Sequence, residues 1–433
     1  MGNYQTKVIN ILVQDDEFDD IFTKYLLSKT YTNIKWYEYV VGGASKFKGD
    51  ALSAKDILLK YMSYNRANVP HLLTNGNGKV DHNSAEYNIF KDAIKTDLNE
   101  FHDTDGFNIQ MVLTGQSAPF INIMSEFLSS KNGADRFLTP ANIEIILVNG
   151  KHNGKNLYTA LNKMNKICNS YNITLVIREF NSFSSMGDGI KQWVDPKESE
   201  FVNCGTADEF SGRLYNLVKN KNKLAECIIQ YGLKFNSSII SKTVPRITEA
   251  IDIMNGINLN ECKSWNIQTL DGDVNMYINN LITTNDNNIS TLNVDLCQKL
   301  SLDLYKVLNC ANAQLKRIDE DVISGAVTQE LATRFQKKLY SIRGYFRVKV
   351  EIAKYNLLHF PLHDIAAFLI MTQNANLAPF DAHAVKFGEF MNITKEPSKN
   401  GNSFPVIHYV SHDPEVTRKY MEELVIKIIE TNI

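Results

Sequence analysis

Residues 8–20 read Val8-Ile9-Asn10-Ile11-Leu12-Val13-Gln14-Asp15-Asp16-Glu17-Phe18-Asp19-Asp20. The first half is a short, nearly continuous apolar run, the pattern of a strand covered on both faces. The second half is a burst of acid: Asp15, Asp16, Glu17, Asp19 and Asp20 fall within six residues. Helical spacing follows over 19–29, and the alternation then repeats. Strand patterns occupy 34–41, 69–73, 109–113, 143–148 and 173–177, and helical patterns occupy 54–64, 87–100, 120–128 and 157–170. Strand–helix alternation with short links predicts an α/β fold, a doubly wound and mainly parallel sheet with helices on both faces. Ligands of such sheets sit outside the carboxyl ends of the strands, so the residues just after each strand are the ones to read for function.

From about residue 180 the pattern changes. Residues 181–203 are loop-like, and helical spacing dominates 208–355, with segments at 210–233, 244–254, 274–282, 294–318 and 328–340. Mixed structure then returns. A helix over 365–371 follows His363-Asp364, strand patterns cover 382–390 and 404–410 around the turn residues Asn400-Gly401-Asn402, and an amphipathic helix over 414–428 has Asp413 as its cap. The organisation expected is an α/β core over 1–180, a mainly helical insertion over 181–345, and completion of the core over 346–433.

Composition bounds the function. The chain has 433 residues, 44% hydrophobic and 22% charged, with a net charge of -2. That excludes a disordered chain and gives no reason to expect a polyanion or membrane-surface partner. No run of about 18 apolar residues exists to span a bilayer, and the N-terminus lacks a secretory signal, so a cytoplasmic protein is expected. The six cysteines contain no CxxC pair and read as free thiols in a reducing compartment. The basic stretch Arg334, Lys337, Lys338, Arg343, Arg347 and Lys349 reads as a solvated helix face, with contact to a nucleic acid or an acidic partner as the alternative.

Three short features carry chemistry. Acids packed as densely as Asp15 to Asp20 repel one another unless something positive is close. The positive end of the helix that starts there is one candidate. A divalent cation is the other, and calcium takes six to eight oxygens from carboxylates and carbonyls. His363-Asp364 stands at a second helix start, where the Asp can cap the helix or complete a cation site and the His can act as a general acid. Thr114-Gly115 leaves the strand at 109–113, where a threonine carbonyl turned into a pocket is a hard-cation ligand. A fourth segment, Thr74 to His82, is a Gly/Asn loop that reads either as an exposed loop or as a flap bringing His82 toward a ligand.

In order along the chain, these segments resemble the inosine-uridine-preferring nucleoside hydrolase family. Its opening pattern D-x-D-P-G-x-D-D is similar to Val13-Gln14-Asp15-Asp16-Glu17-Phe18-Asp19-Asp20. Its TG-[PG]-L-T-N turn resembles Thr114-Gly115-Gln116-Ser117-Ala118-Pro119, and its late H-D resembles His363-Asp364. The resemblance covers roughly 6–180 and 346–433. It implies one Ca2+ at the pocket floor, held by Asp15, Asp20, the Thr114 carbonyl and Asp364. It also implies Asp15 as base toward water, Asp19 on the ribose hydroxyls and His363 on the leaving nucleobase. The substrate implied is a ribonucleoside or related riboside, in purine or pyrimidine salvage, and a homo-oligomer is implied as well. Nucleic acid is not an expected partner.

The chain departs from the family pattern in four places. Val13 replaces the first aspartate, and Asp16-Glu17 replaces Pro-Gly. The ribose-binding Asn of the family's V-A-G-N turn is Ala44. Its E-F-N clamp is at best Gly154-Lys155-Asn156, which keeps Asn156 and loses the Glu. The expected function is therefore calcium-dependent hydrolysis of an N-glycosidic bond. The alternative is a catalytically degenerate homologue with a structural or binding role in a larger assembly.

Overall fold

The apolar run from residue 8 is a strand with both faces covered: Ile9, Ile11 and Val13 enter one buried cluster and Leu12 the other. The structure, a computed structural model, describes residues 7–14, 18–31, 34–40, 71–73, 80–130, 136–149, 156–181, 208–229, 232, 294–325, 328–336, 339, 360, 362–372, 380–387, 393–394, 404–411 and 414–431. The strands are β1 (Val8–Gln14), β2 (Ile34–Val40), β3 (His71–Leu73), β4 (Asn108–Leu113), β5 (Asn142–Asn149), β6 (Thr174–Asn181), β7 (Phe380–Phe387), β8 (Ile393–Thr394) and β9 (Phe404–Ser411). They form one sheet in the order β3-β2-β1-β4-β5-β6-β9-β7-β8. The six strands from β3 to β6 are all parallel, and β9 extends them in parallel before β7 reverses direction.

Helices cover both faces. On one lie α1 (Phe18–Thr30), α5 (Asp208–Lys219), α6 (Val294–Ile323), α7 (His363–Met371) and α8 (Pro414–Thr431), which contribute Ile21, Phe210, Leu315, Ile365 and Met421 to a common cluster. On the other lie α2 (Ala85–Leu98), α3 (Ala118–Leu128) and α4 (Leu157–Ser170), with Phe90, Ile121 and Leu161 buried together. The α/β class expected from the alternation is therefore observed. Local chemistry sets several helix ends. Ser84 accepts the Tyr87 N–H at 3.1 Å to start α2, and Pro119 occupies the first turn of α3, where its missing N–H costs nothing.

The helical middle of the chain shares the core of the sheet. Phe210, Leu214, Leu224, Ile228, Leu315 and Ile318 are buried in the same cluster as Leu12 and Val112. Burying each such side chain contributes about 1.5–3 kcal/mol over leaving it in water, so these helices are part of what holds that face closed.

The single helix expected over 210–233 is instead divided. α5 ends at Lys219, and a second helical stretch runs over 223–229. Lys221 adopts a left-handed φ of 65°, its N–H donates to the Val218 carbonyl at 2.8 Å, and the Asn222 N–H donates to the Leu217 carbonyl at 3.0 Å. Asn222 then caps the next helix by accepting the Ala225 N–H at 2.9 Å, and its amide donates to the Ile429 carbonyl at 3.0 Å. Asn220-Lys221-Asn222 was the available signal. β8 was not anticipated; it pairs with the end of β7 at Lys386 and Phe387. The helices expected over 54–64, 244–254 and 274–282, the turn at 400–402 and the Asp413 cap lie outside the described residues.

A polar ladder ties the C-terminal strand to the parallel sheet. Gln110 Nε2 donates to Glu144 Oε2 at 2.6 Å, Arg178 Nε donates to Glu144 Oε1 at 2.5 Å, and Arg178 Nη1 donates to the Tyr409 hydroxyl at 2.7 Å. It crosses β4, β5, β6 and β9, and its members are a few register steps apart only because the strands are aligned.

Burial also sets an alkaline limit. It pushes the Cys168 thiol up to about 11. Burial, reinforced by Asp97 and Glu126 respectively, holds the Tyr37 and Tyr87 hydroxyls above the ordinary tyrosine range. The folded state thus keeps protons that the unfolded chain gives up. The stabilisation is complete below the unfolded values near 9–10 and declines as pH rises further. The expected result is a urea midpoint that is flat from pH 7 to about 9 and falls steadily from 9 to 11. A midpoint that holds through pH 11 would contradict it.

Candidate metal centre

The strand order reverses direction between β1 and β4, the place where an open parallel sheet forms a crevice at its carboxyl edge. β1 ends at Gln14 and α1 starts at Phe18, while β4 ends at Leu113 and is followed by Thr114 and Gly115. The Thr114 and Gly115 N–H groups donate to the Val13 carbonyl at 2.9 and 3.5 Å, so the turn after β4 is stitched to the end of β1. The Thr114 hydroxyl donates to Asp20 Oδ1 at 2.5 Å and lies 3.2 Å from the Val13 carbonyl.

Asp19 and Asp20 occupy the first turn of α1, and Asp364 occupies the first turn of α7. One carboxylate oxygen from each lies within 4.8 Å of the others. All three are buried, at 3%, 0% and 6% exposure. The Asp364 N–H donates to Asp19 Oδ2 at 3.2 Å. Beside them Phe18 stacks on Phe360 with ring centroids 4.1 Å apart, and Phe210 meets Phe360 edge-on at 6.4 Å. Phe18, Phe210 and Phe360 are each almost fully buried.

Buried carboxylates are costly unless compensated. Two helix N-termini converge on this point, each favouring negative charge by about 0.3–1 kcal/mol. A buried carboxylate costs several kcal/mol on desolvation, more than a helix end alone returns. A hard divalent cation is a partner that the three carboxylates could hold. Oxygens bound to one calcium at about 2.4 Å lie no more than about 4.8 Å apart, so the spacing of the three carboxylates suits a shared ion, and the donor set is all oxygen.

Comparison with family models, with curated proteins and with solved structures gave no match. The reading of the site rests on its geometry and on the sequence patterns.

Of the residues singled out in the sequence, Asp19, Asp20, Thr114 and Asp364 are brought together. His363, the half-buried first residue of α7, adjoins them in the chain. The described contact of Thr114 with a carboxylate is through its hydroxyl, where the resemblance implied its carbonyl on an ion. Asp15 lies outside the described residues, as do Ala44 and Gly154. Asn156 is exposed at the start of α4 with a left-handed φ of 61°, and His82 is exposed with its ring 4.6 Å from that of Tyr87. No described contact links either to the three carboxylates.

Two buried pairs of ionisable residues were not singled out. Lys24, one helical turn beyond Asp20, lies 3.8 Å from Glu38 and 5.2 Å over the Trp36 ring. Glu38 is the register partner of Gln14, the last residue of β1. A lysine on the apolar face of α1 and a glutamate inside an aromatic strand were the signals. At the carboxyl ends of β6 and β9, His408 Nδ1 lies 3.2 Å from Glu179 Oε2. These two residues are also register partners, a relation that only the β6–β9 pairing creates.

Proposed function

We propose that this chain is a nucleoside hydrolase-like protein that uses calcium to hydrolyse the N-glycosidic bond of a ribonucleoside or related riboside. One observation supports the reading above the rest: Asp19, Asp20 and Asp364, drawn from opposite ends of the chain, share one buried site at the switch point of the sheet. Asp20, Asp364, Asp15 and Thr114 would hold the ion, which supplies a fixed positive partner for vicinal sugar hydroxyls and water. Asp15 takes the proton from the attacking water. Asp19 accepts hydrogen bonds from the ribose and sets the sugar over that water. The surrounding carboxylates favour the positive charge that builds on the ribosyl ring as the bond to the base breaks. His363 donates a proton or hydrogen bond to the departing base.

The experiment is release of reducing sugar from a panel of purine and pyrimidine ribonucleosides, with calcium and with chelator. At least one nucleoside should be cleaved, activity should vanish with chelator, and Asp15→Asn should lower kcat by about 10²–10⁴-fold. Ala44 and Gly154, where the family carries ribose-binding Asn and Glu, favour a second reading: a calcium-binding homologue that has lost turnover and serves in a larger assembly. Calcium binding without cleavage of any nucleoside would select it.

A further inference from the structure

We infer that Asp19 is a positioning residue: it is the N-cap of α7, supplied from α1, and its bond to the Asp364 N–H is what holds Asp364 against Asp20. The functional meaning of this rests on the calcium reading above; the bond itself does not.

The first N–H groups of a helix have no acceptor within it and need one from outside. α7 cannot supply its own. The residue before it, Leu362, has an apolar side chain and makes no capping bond. The acceptor comes instead from Asp19, 345 residues earlier in the chain, whose Oδ2 takes the Asp364 N–H at 3.2 Å. Both residues are buried, so water is a poor substitute, and an N–H left without an acceptor there would bear its full desolvation cost. A bond to an ionised carboxylate is roughly twice as strong as one between neutral groups, and negative charge suits the positive end of α7. An apolar clamp lies alongside. Phe18, next to Asp19, stacks on Phe360, three residues ahead of α7. Among the described contacts, this hydrogen bond and this aromatic stack join the starts of α1 and α7. The Asp364 carboxylate reaches Asp20 because its helix is anchored at Asp19.

Hydrogen exchange of the full chain in chelator, followed over 360–372, tests the cap without metal or substrate. Asp19→Asn keeps a side-chain acceptor and should stay within about threefold of wild type, whereas Asp19→Ala should speed exchange at the start of α7 by about tenfold or more. Asp20→Asn, which leaves the cap in place, should not change it. Wild-type exchange in Asp19→Ala, or equal acceleration in the Asn and Ala variants, overturns the inference. Should Asp19→Ala not fold, the Asp364 amide proton of the wild-type protein decides. A downfield position supports the bond to the carboxylate, and an upfield one refutes it. Calcium titration adds the link to the cage: Asp19→Ala should weaken calcium binding at least about tenfold more than Asp19→Asn does. A wild-type protein that ignores calcium would defeat the proposed function and leave the exchange result standing.

Discussion

Asp364→Asn should abolish the rise in melting temperature that calcium gives the wild-type protein, and should leave the protein in chelator no less stable. The sign follows from the burial of the three carboxylates. Without an ion, Asp19, Asp20 and Asp364 repel one another at a site with little water, so neutralising one relieves strain. With the ion, each carboxylate contributes charge that a neutral amide cannot replace. At calcium a thousandfold above Kd the wild type gains about 4 kcal/mol, which for a chain of this length is about 4 °C in Tm. The backbone N–H of residue 364 still reaches Asp19, so the helix start survives the substitution and the loss is specific to the ion. Asp20→Asn should behave alike, because an Asn oxygen still accepts from Thr114. Scanning calorimetry with calcium, magnesium and chelator measures this. A wild-type protein whose melting temperature is the same in all three would defeat the calcium site.

Lys24→Met should destabilise the fold by about 3–5 kcal/mol. Glu38 is 1% exposed and Lys24 4%, so neither charge is screened by water. Removing the ammonium takes the Lys24 charge away from the buried Glu38 carboxylate. The double variant Lys24→Met, Glu38→Leu removes both charges and should recover most of the loss, because an apolar pair of similar volume at a buried position is often neutral or better. Urea denaturation of the two singles and the double closes the cycle. A cost below about 1 kcal/mol for Lys24→Met would place the pair in the class of exposed ion pairs and contradict its burial.

Much of the architecture was legible because burial has a period. The nearly continuous apolar run from Val8 to Val13 has the pattern of a strand with both faces covered, and the spacing from Leu157 to Ser170 matches α4 end to end. The break after Lys219 was not read, because Leu214, Leu217, Leu224 and Ile228 keep an apolar rhythm across it. The left-handed turn at Lys221 is carried by a residue type that seldom adopts it. At the site, Asp19, Asp20, Thr114 and Asp364 were marked by their places after strands or at helix starts. Lys24 and Glu38 were passed over because each looks like an ordinary charged residue until β2 is laid beside β1.

The order of apolar and polar residues along the chain by itself determined the elements of the core, their alternation, and the rule that function gathers at the strands' carboxyl ends. Only the tertiary structure decided the strand order, the place where it reverses, the trans-chain cap between Asp19 and Asp364, and the pairing of Glu179 with His408. The reason is range. Periodicity reports whether a residue faces core or water within its own few turns. Contacts across hundreds of residues depend on which strands pair and in what register, and a one-residue slip in register would turn Glu179 or His408 to the opposite face.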